Sequence, residues 1–150
     1  MKRIIRLSGI LCLLLVGIFY FCYYPCKIGN PHRAVICYTD ANLRQRKALN
    51  LNTEQTEQLA AVLKDATPTI FVHESHGMGS EDILITLHYA DGTSKTISLW
   101  QARSVLYEGD AEEMTMAAML GGGILHFGGD LDADKIQDIL RRAGVNAEGL

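Results

Sequence analysis

The chain has 150 residues, an apolar content of 48% and a formal net charge of −3. Positions 1–26 contain three basic residues and no acidic ones. Residues 27–150 therefore carry eleven Lys and Arg against seventeen Asp and Glu, a net charge of −6. This charge repels nucleic acid and anionic lipid, which excludes nucleic acid as an expected partner. The 124 residues that remain after position 26 suffice for one ordinary domain.

The first element is an uncharged N-terminal segment. Residues 7–24 lack charged side chains, and as a helix rising ~1.5 Å per residue they would measure about 27 Å, close to the ~30 Å hydrocarbon core of a bilayer. We predict a transmembrane signal-anchor over residues 7–25, ended by Pro25. Lys2, Arg3 and Arg6 precede the span, whereas Lys27 and Arg33 follow it. The positive-inside rule therefore predicts a cytoplasmic N-terminus over 1–6 and an extracytoplasmic domain over 26–150.

Two other interpretations of this segment stay open. A cleaved signal peptide would end in a small-residue cleavage site, but positions 19–26 read FYFCYYPC and offer none. The second interpretation is lateral pairing of two spans through Gly9 and Gly17. These glycines lie eight residues apart and nearly on one helix face. An uncleaved anchor is the interpretation that the residues favour.

Two cysteines lie just beyond the predicted span. Cys26 and Cys37 are eleven residues apart, and in an oxidising compartment a disulfide between them would close a short loop against the membrane. Cys37 also sits in an apolar run, where a buried free thiol is the alternative. The sequence leaves both possibilities open.

Strand and helix signals alternate along the domain. Residues 34–39 form an apolar, β-prone run, and residues 40–50 look like a solvated loop or an irregular helix. Apolar residues recur with helical spacing over 53–66, behind a cap at Asn52 or Thr53, and again over 133–143 between a cap at Asp132 and a stop at Gly144. Two amphipathic helices are therefore predicted.

The segment between these helices contains a hairpin signal. Residues 82–90 and 93–100 flank Asp91-Gly92, which predicts a two-residue type I′ turn. That turn would pair Ile83 with Trp100 and Leu84 with Leu99.

Four weaker elements complete the predicted domain. Residues 69–73 and 103–107 are candidate strands, 114–120 is a candidate short helix, and 124–127 is either a last edge strand or a packed loop. The predicted fold is α+β, with a small two-layer domain that holds an antiparallel sheet, a central hairpin over 82–100 and two or three helices.

Three histidines make the most reactive-looking set. His73, His76 and His88, the last on the predicted hairpin, would offer three imidazoles to Zn²⁺ or Cu²⁺. Zincin chemistry needs two histidines four residues apart on a helix, but His73 and His76 are three apart in a strand-to-loop context. Solvated loop and strand histidines explain the pattern better, and we expect no metal or cofactor.

Two further patterns suggest ions and have simpler explanations. The aspartates of residues 130–134 alternate as in a calcium loop, but Lys135 stands where that loop requires glycine, so helix capping explains them better. The methionines at 114, 116 and 119 near His126 would suit Cu(I), although methionine on a small apolar helix is usually core filler.

The sequence contains no coherent catalytic set, so an enzyme is not favoured. We expect a membrane-anchored, non-enzymatic protein-interaction module that works outside the cytoplasm. A small metal-binding protein or metal-dependent enzyme using His73, His76 and His88 is the alternative. The expected partners are the bilayer, through residues 7–25, and a membrane or envelope protein. Tyr89 and Trp100 mark a possible interaction surface, unless Trp100 is the centre of the core.

Overall fold

A computed structural model describes residues 2–74, 83–100, 105–108, 119–120 and 123–147. These residues form an N-terminal apolar helix and an α+β domain, which confirms the predicted fold class. The helices and strands in chain order are α1 (Lys2–Cys26), β1 (Arg33–Thr39), β2 (Arg46–Asn50), α2 (Thr53–Lys64), β3 (Thr67–Glu74), β4 (Ile83–His88), β5 (Ser94–Trp100), β6 (Val105–Glu108), β7 (Met119–Leu120), β8 (Gly123–Asp130) and α3 (Ala133–Arg142).

All described strands belong to one antiparallel sheet. The strand order is β2-β1-β4-β5-β6-β8-β3, and the two-residue strand β7 pairs with β8. The β4–β5 hairpin lies near the middle of this order, so the prediction of a central hairpin over 82–100 is confirmed.

The core lies on one face of the sheet, under all three helices. Side chains alternate between the two faces of a strand, and on this face Ile36, Ile85 and Ile97 are directly paired neighbours with no exposed surface. The same apolar cluster contains Leu59 and Leu63 from α2 with Ile136 and Leu140 from α3, together with further residues of the sheet and of the segment after α1. Burial of these side chains, at about 1.5–3 kcal/mol each, is the main favourable term in folding.

The two domain helices begin where the sequence predicts and end one or two residues earlier than predicted. Asn52 caps α2, and its side chain and that of Gln55 exchange hydrogen bonds with each other's backbone amides. Asp132 caps α3. At the other end of α3, Gly144 has a φ of +88°, and its amide and that of Val145 donate to the carbonyls of Arg141 and Leu140, which is a Schellman motif.

The predicted hairpin register is wrong by one residue. The chain turns through three residues, with Gly92 at a φ of +84° and the amide of Tyr89 bonded to the carbonyl of Thr93. Ile83 therefore pairs with Leu99 rather than with Trp100, and Ile85 pairs with Ile97. This register is favoured because it brings the apolar side chains of both strands to the core face.

Three other predictions need correction. Residues 46–50 form the edge strand β2 rather than a loop or helix, with Ala48 paired to Cys37. Strand β8 is interior, because it pairs with β6 on one side and with β3 on the other. Met119 and Leu120, the end of the helix predicted over 114–120, lie in strand β7, whereas residues 114–118 are outside the described residues.

The sheet has two ends that are distinguished by α1. The ring of Phe21 lies 5.9 Å from that of Phe127, and Cys26 lies beside Gly129, so α1 and β8 run in the same direction. We call the end where α1 arrives, marked by His88 and Ile124, the proximal end. The opposite end is the distal end, marked by Thr39, Trp100, Val105 and Asp130.

Candidate functional site

The last turns of α1 are packed on the sheet as part of the domain. Cys22 and Cys26 are buried, with exposed fractions of 6% and 7%. A Cβ atom placed on Gly129 would lie 2.5 Å from the Sγ atom of Cys26 and 2.9 Å from the Cβ atom of Ala66. The helix therefore approaches β8 so closely that only glycine fits at position 129.

The remainder of α1 is exposed along its length. Leu7 and Leu13 are each 74% exposed, and Ile18, near the docked turns, is still 42% exposed. The segment Arg6–Cys26 is long and apolar enough to cross a membrane. The chain thus combines a docked helix end with a projecting apolar shaft, which we define as residues 7–20.

Three side chains of the domain fix the junction between α1 and β1 through hydrogen bonds. The ammonium group of Lys95 donates to the carbonyl oxygen of Tyr24 at 2.6 Å and lies 4.4 Å from the centre of the Tyr24 ring. A cation is favourable here because carbonyl oxygens at a helix C-terminus carry partial negative charge. The hydroxyl of Tyr89 donates to the carbonyl of Ile28, and Lys64 donates to the side chain of Asn30. The shaft is therefore attached to the domain without a flexible linker.

A tightly bonded turn lies at the distal end, between β1 and β2. Asp40 is 5% exposed, and its carboxylate accepts hydrogen bonds from the amides of Asn42 and Leu43 and from the ammonium group of Lys47 at 2.6 Å. The bond from Lys47, followed by the amide of Leu43, holds the pKa of Asp40 below its usual range. The same turn receives the end of α3, because the amide of Ala41 donates to the carbonyl of Asn146 at 2.8 Å.

The three candidate metal ligands are not brought together by the described strands. His73 lies in β3 and His88 in β4, and strands β5, β6 and β8 separate these two in the sheet. At ~4.8 Å per strand the two backbones are about 19 Å apart across the sheet, whereas Zn–N bonds are ~2 Å long. His76 lies outside the described residues. No group of three or more His, Cys, Asp or Glu in the described part of the chain is arranged to hold a metal ion.

The candidate disulfide partners lie on different faces of the sheet. Cys26 belongs to the core cluster, whereas Cys37 is half-buried and alternates with the buried residues Ile36 and Tyr38 on β1. Both residues are free thiols in the structure.

The interaction surface predicted around Tyr89 and Trp100 stays a prediction. Tyr89 packs against the core and bonds to Ile28, while the side chain of Trp100 is outside the described part of the chain. The sheet face opposite the helices is not open throughout either, because Ser98 and His126 on that face are 0% and 5% exposed.

The residues that hold the junction and the distal turn gave little signal in the sequence. Lys95 is an ordinary polar residue of a strand, and Asp40 is one acid in a charged stretch. Gly129 stands in a Gly-Gly pair that reads as a turn. Lys95 lies on the same face of β5 as Ile97 and Leu99, and the corrected register pairs it with Leu87 on the helix side of the sheet.

Comparison with known proteins adds no relative: no family model, curated protein or solved structure matches the chain. The fold and the junction define its class as an α+β domain built onto the end of an N-terminal apolar helix.

Proposed function

We propose that the chain is a single-pass membrane protein whose domain, residues 26–150, is a non-enzymatic protein-interaction module outside the cytoplasm. The observation that carries the membrane part is the exposed apolar shaft. Its large side chains are 42–74% exposed over residues 7–20, an apolar surface that water would not tolerate uncovered. Lipid covers it in this proposal.

The orientation rests on charge. Lys2, Arg3 and Arg6 lie at the start of the shaft, which favours the cytoplasmic side for that end. Tyr20, Tyr23 and Tyr24 cluster at the other end and are 44–59% exposed. Tyrosine favours the headgroup layer, so the domain begins at the membrane surface.

The rigid junction supports interaction with a partner in or beside the same membrane. The bonds from Lys95, Tyr89 and Lys64 hold residues 24–30 against the domain. A domain attached in this way cannot move far from its anchor, so it can contact only partners within about its own length of the anchor.

Membrane insertion is tested with the full chain expressed in cells. Alkaline carbonate extraction should leave the chain in the membrane pellet, and its mass should be that of the uncleaved chain, 16.6 kDa. In Leu14→Arg a charge falls in the middle of the shaft, at a cost of about 2.5–3.5 kcal/mol, and the chain should move to the supernatant. Leu43→Arg makes the same change on an exposed loop residue and should stay in the pellet.

Sidedness is tested by adding protease to spheroplasts. Residues 27–150 should be digested from outside, and complete protection would reverse the orientation. A mature chain that lacks the first 26 residues would show that α1 is a cleaved signal.

A further inference from the structure

The distal end of the sheet gathers basic residues from two segments that are far apart in sequence. Asn146 bonds to Ala41, the hydroxyl of Tyr38 donates to the carbonyl of Gly144, and Asp40 and Ala147 form a β-bridge. These contacts fasten the C-terminal end of α3 to the turn between β1 and β2. We define the distal basic surface as Arg44, Arg46, Lys47, Arg141 and Arg142, together with Leu43.

This surface has the opposite charge to the domain that carries it. All five cations are exposed, and the carboxylates paired with them are Asp40, which bonds Lys47, and Asp138, which bonds Arg142. Among the residues that the structure describes, these five cations and the two carboxylates paired with them sum to a charge of +3, whereas residues 27–150 together carry −6. Lys47 and Arg142 already have carboxylate partners, and Arg46 follows the face of β2 opposite to Lys47, so recognition falls mainly to Arg44 and Arg141.

The surface also contains an apolar residue. Leu43 stands at the tip of the turn and is 57% exposed. The turn cannot fold inward, because the amides of Asn42 and Leu43 are bonded to the carboxylate of Asp40. The turn thus displays Leu43 among arginines, and arginine is enriched at protein interfaces.

We propose that the distal basic surface binds a carboxylate-rich segment of a protein outside the cytoplasm, with an apolar side chain of that segment against Leu43. Arginine suits this ligand because its planar fork binds a carboxylate through two parallel hydrogen bonds. The chain's own bilayer does not fit, because α1 leaves the sheet past the opposite, proximal end. This inference rests on the proposed function and gives it a surface and a partner chemistry.

The test uses the full chain in phosphatidylcholine nanodiscs. The probe is a fluorescein-labelled peptide of about ten residues, glutamates with one central leucine, and binding is followed by fluorescence anisotropy. Saturable binding that weakens with added salt is expected, since exposed charges are screened beyond ~8 Å at physiological ionic strength. Arg44→Glu/Arg141→Glu should lower the affinity by about tenfold or more, since contacts between close charges set such interfaces.

A matched control distinguishes binding by the distal basic surface from an effect of net charge. Lys27→Glu/Arg33→Glu makes the same charge change at two exposed residues outside the distal basic surface, and affinity should stay within about twofold of the parent. Leu43→Ser, with all charges kept, should also weaken binding. Equal losses in both double variants, or binding to phosphatidylglycerol vesicles without binding to the peptide, would overturn the proposal.

A crosslinking arm separates this inference from the proposed function. A photoreactive benzoylphenylalanine replaces either Leu43 on the distal basic surface or the exposed Glu57 on α2, and native membranes are irradiated. A protein adduct from position 57 without peptide binding leaves the proposed function standing and overturns the inference. No adduct from either position overturns the proposed function itself.

Discussion

Gly129 is the residue on which the close approach of α1 to the sheet depends. In Gly129→Ala the new methyl group would meet the Sγ atom of Cys26 at 2.5 Å and the Cβ atom of Ala66 at 2.9 Å. Overpacking of this kind costs about 1–3 kcal/mol, which chemical denaturation in detergent micelles should show. The double variant Cys26→Ala/Gly129→Ala should recover part of the loss, because it removes one of the two clashes.

Gly17, a glycine on α1 itself, serves as the control. A Cβ atom on Gly17 has no neighbour within 4 Å, so Gly17→Ala should not destabilise the domain. If Gly129→Ala is as stable as the parent, the close approach of helix and sheet is wrong.

Asp40 makes stability depend on pH at the acid end. Its pKa in the folded chain is lowered, first by the bond from Lys47 and then by the amide of Leu43. A depressed carboxyl pKa contributes stability that is present above the unfolded pKa, ~3.9, and is lost as the pH falls through the folded pKa. The melting temperature should therefore fall more steeply below about pH 4 in the parent than in Asp40→Asn.

Lys47→Gln tests how much of the pH-dependent stability from Asp40 comes from Lys47 and how much from the backbone amides of the turn. It removes the first cause of the pKa shift but keeps the amides of Asn42 and Leu43, so its acid dependence should lie between those of the parent and Asp40→Asn. If the melting temperature falls equally at acid pH in the parent and in Asp40→Asn, the turn does not hold a charged carboxylate.

At the scale of elements, the hairpin β4–β5 holds the end of α1 through Lys95. Lys95→Met keeps the side-chain stem but removes the ammonium group that donates to the carbonyl of Tyr24. The expected loss is about 1 kcal/mol, the typical worth of such a bond at a helix C-terminus. Hydrogen exchange of the amides in 22–28 should become faster while that of β4 stays slow. Lys64→Met, which loses a bond to Asn30 instead, should leave the amides of 22–26 unchanged.

The sequence predicted the elements better than their pairing. Both domain helices follow from caps and apolar spacing, because those signals are local. The pairing error came from Asp91-Gly92, which is compatible with loops of two or three residues. Packing decides between them, since only the three-residue loop sets Ile85 opposite Ile97. Strand β2 was missed because its exposed residues lack an apolar alternation, as is usual at a sheet edge.

The spatial arrangement of the candidate site residues could not be predicted for a related reason. His73 and His88 were grouped as neighbours, yet strand order separates them by three strands, and order depends on contacts between distant segments. The distal basic surface likewise joins the turn at residues 40–45 to the end of α3 through Ala41 and Asn146, about a hundred residues apart in sequence. Neither segment carries a motif by itself.

For the whole molecule, docking of α1 shortens the helix that is free to cross a bilayer. The shaft over residues 7–20 has fourteen residues and measures about 21 Å, against a hydrocarbon core of ~30 Å. Short spans are accommodated by local thinning and by flanking residues that reach the interface. The helix is docked from about Phe21, so in the proposed membrane arrangement the proximal end of the sheet would be drawn into the headgroup layer, together with Tyr23 and Tyr24.

The proximal and distal ends should therefore lie at different depths. Strand β1 runs between them from Arg33 to Thr39, about 20 Å at ~3.4 Å per residue. In a Trp100→Phe parent, a single tryptophan is placed in the proximal hairpin turn, Ala90→Trp, or in the distal turn, Leu43→Trp. Full chains in liposomes that contain brominated phosphatidylcholine should show strong quenching of the first tryptophan and little quenching of the second, because bromine quenches only at short range. Equal quenching would mean that the sheet lies flat on the membrane, and stronger quenching at position 43 would place the distal basic surface on the bilayer instead of facing a protein partner.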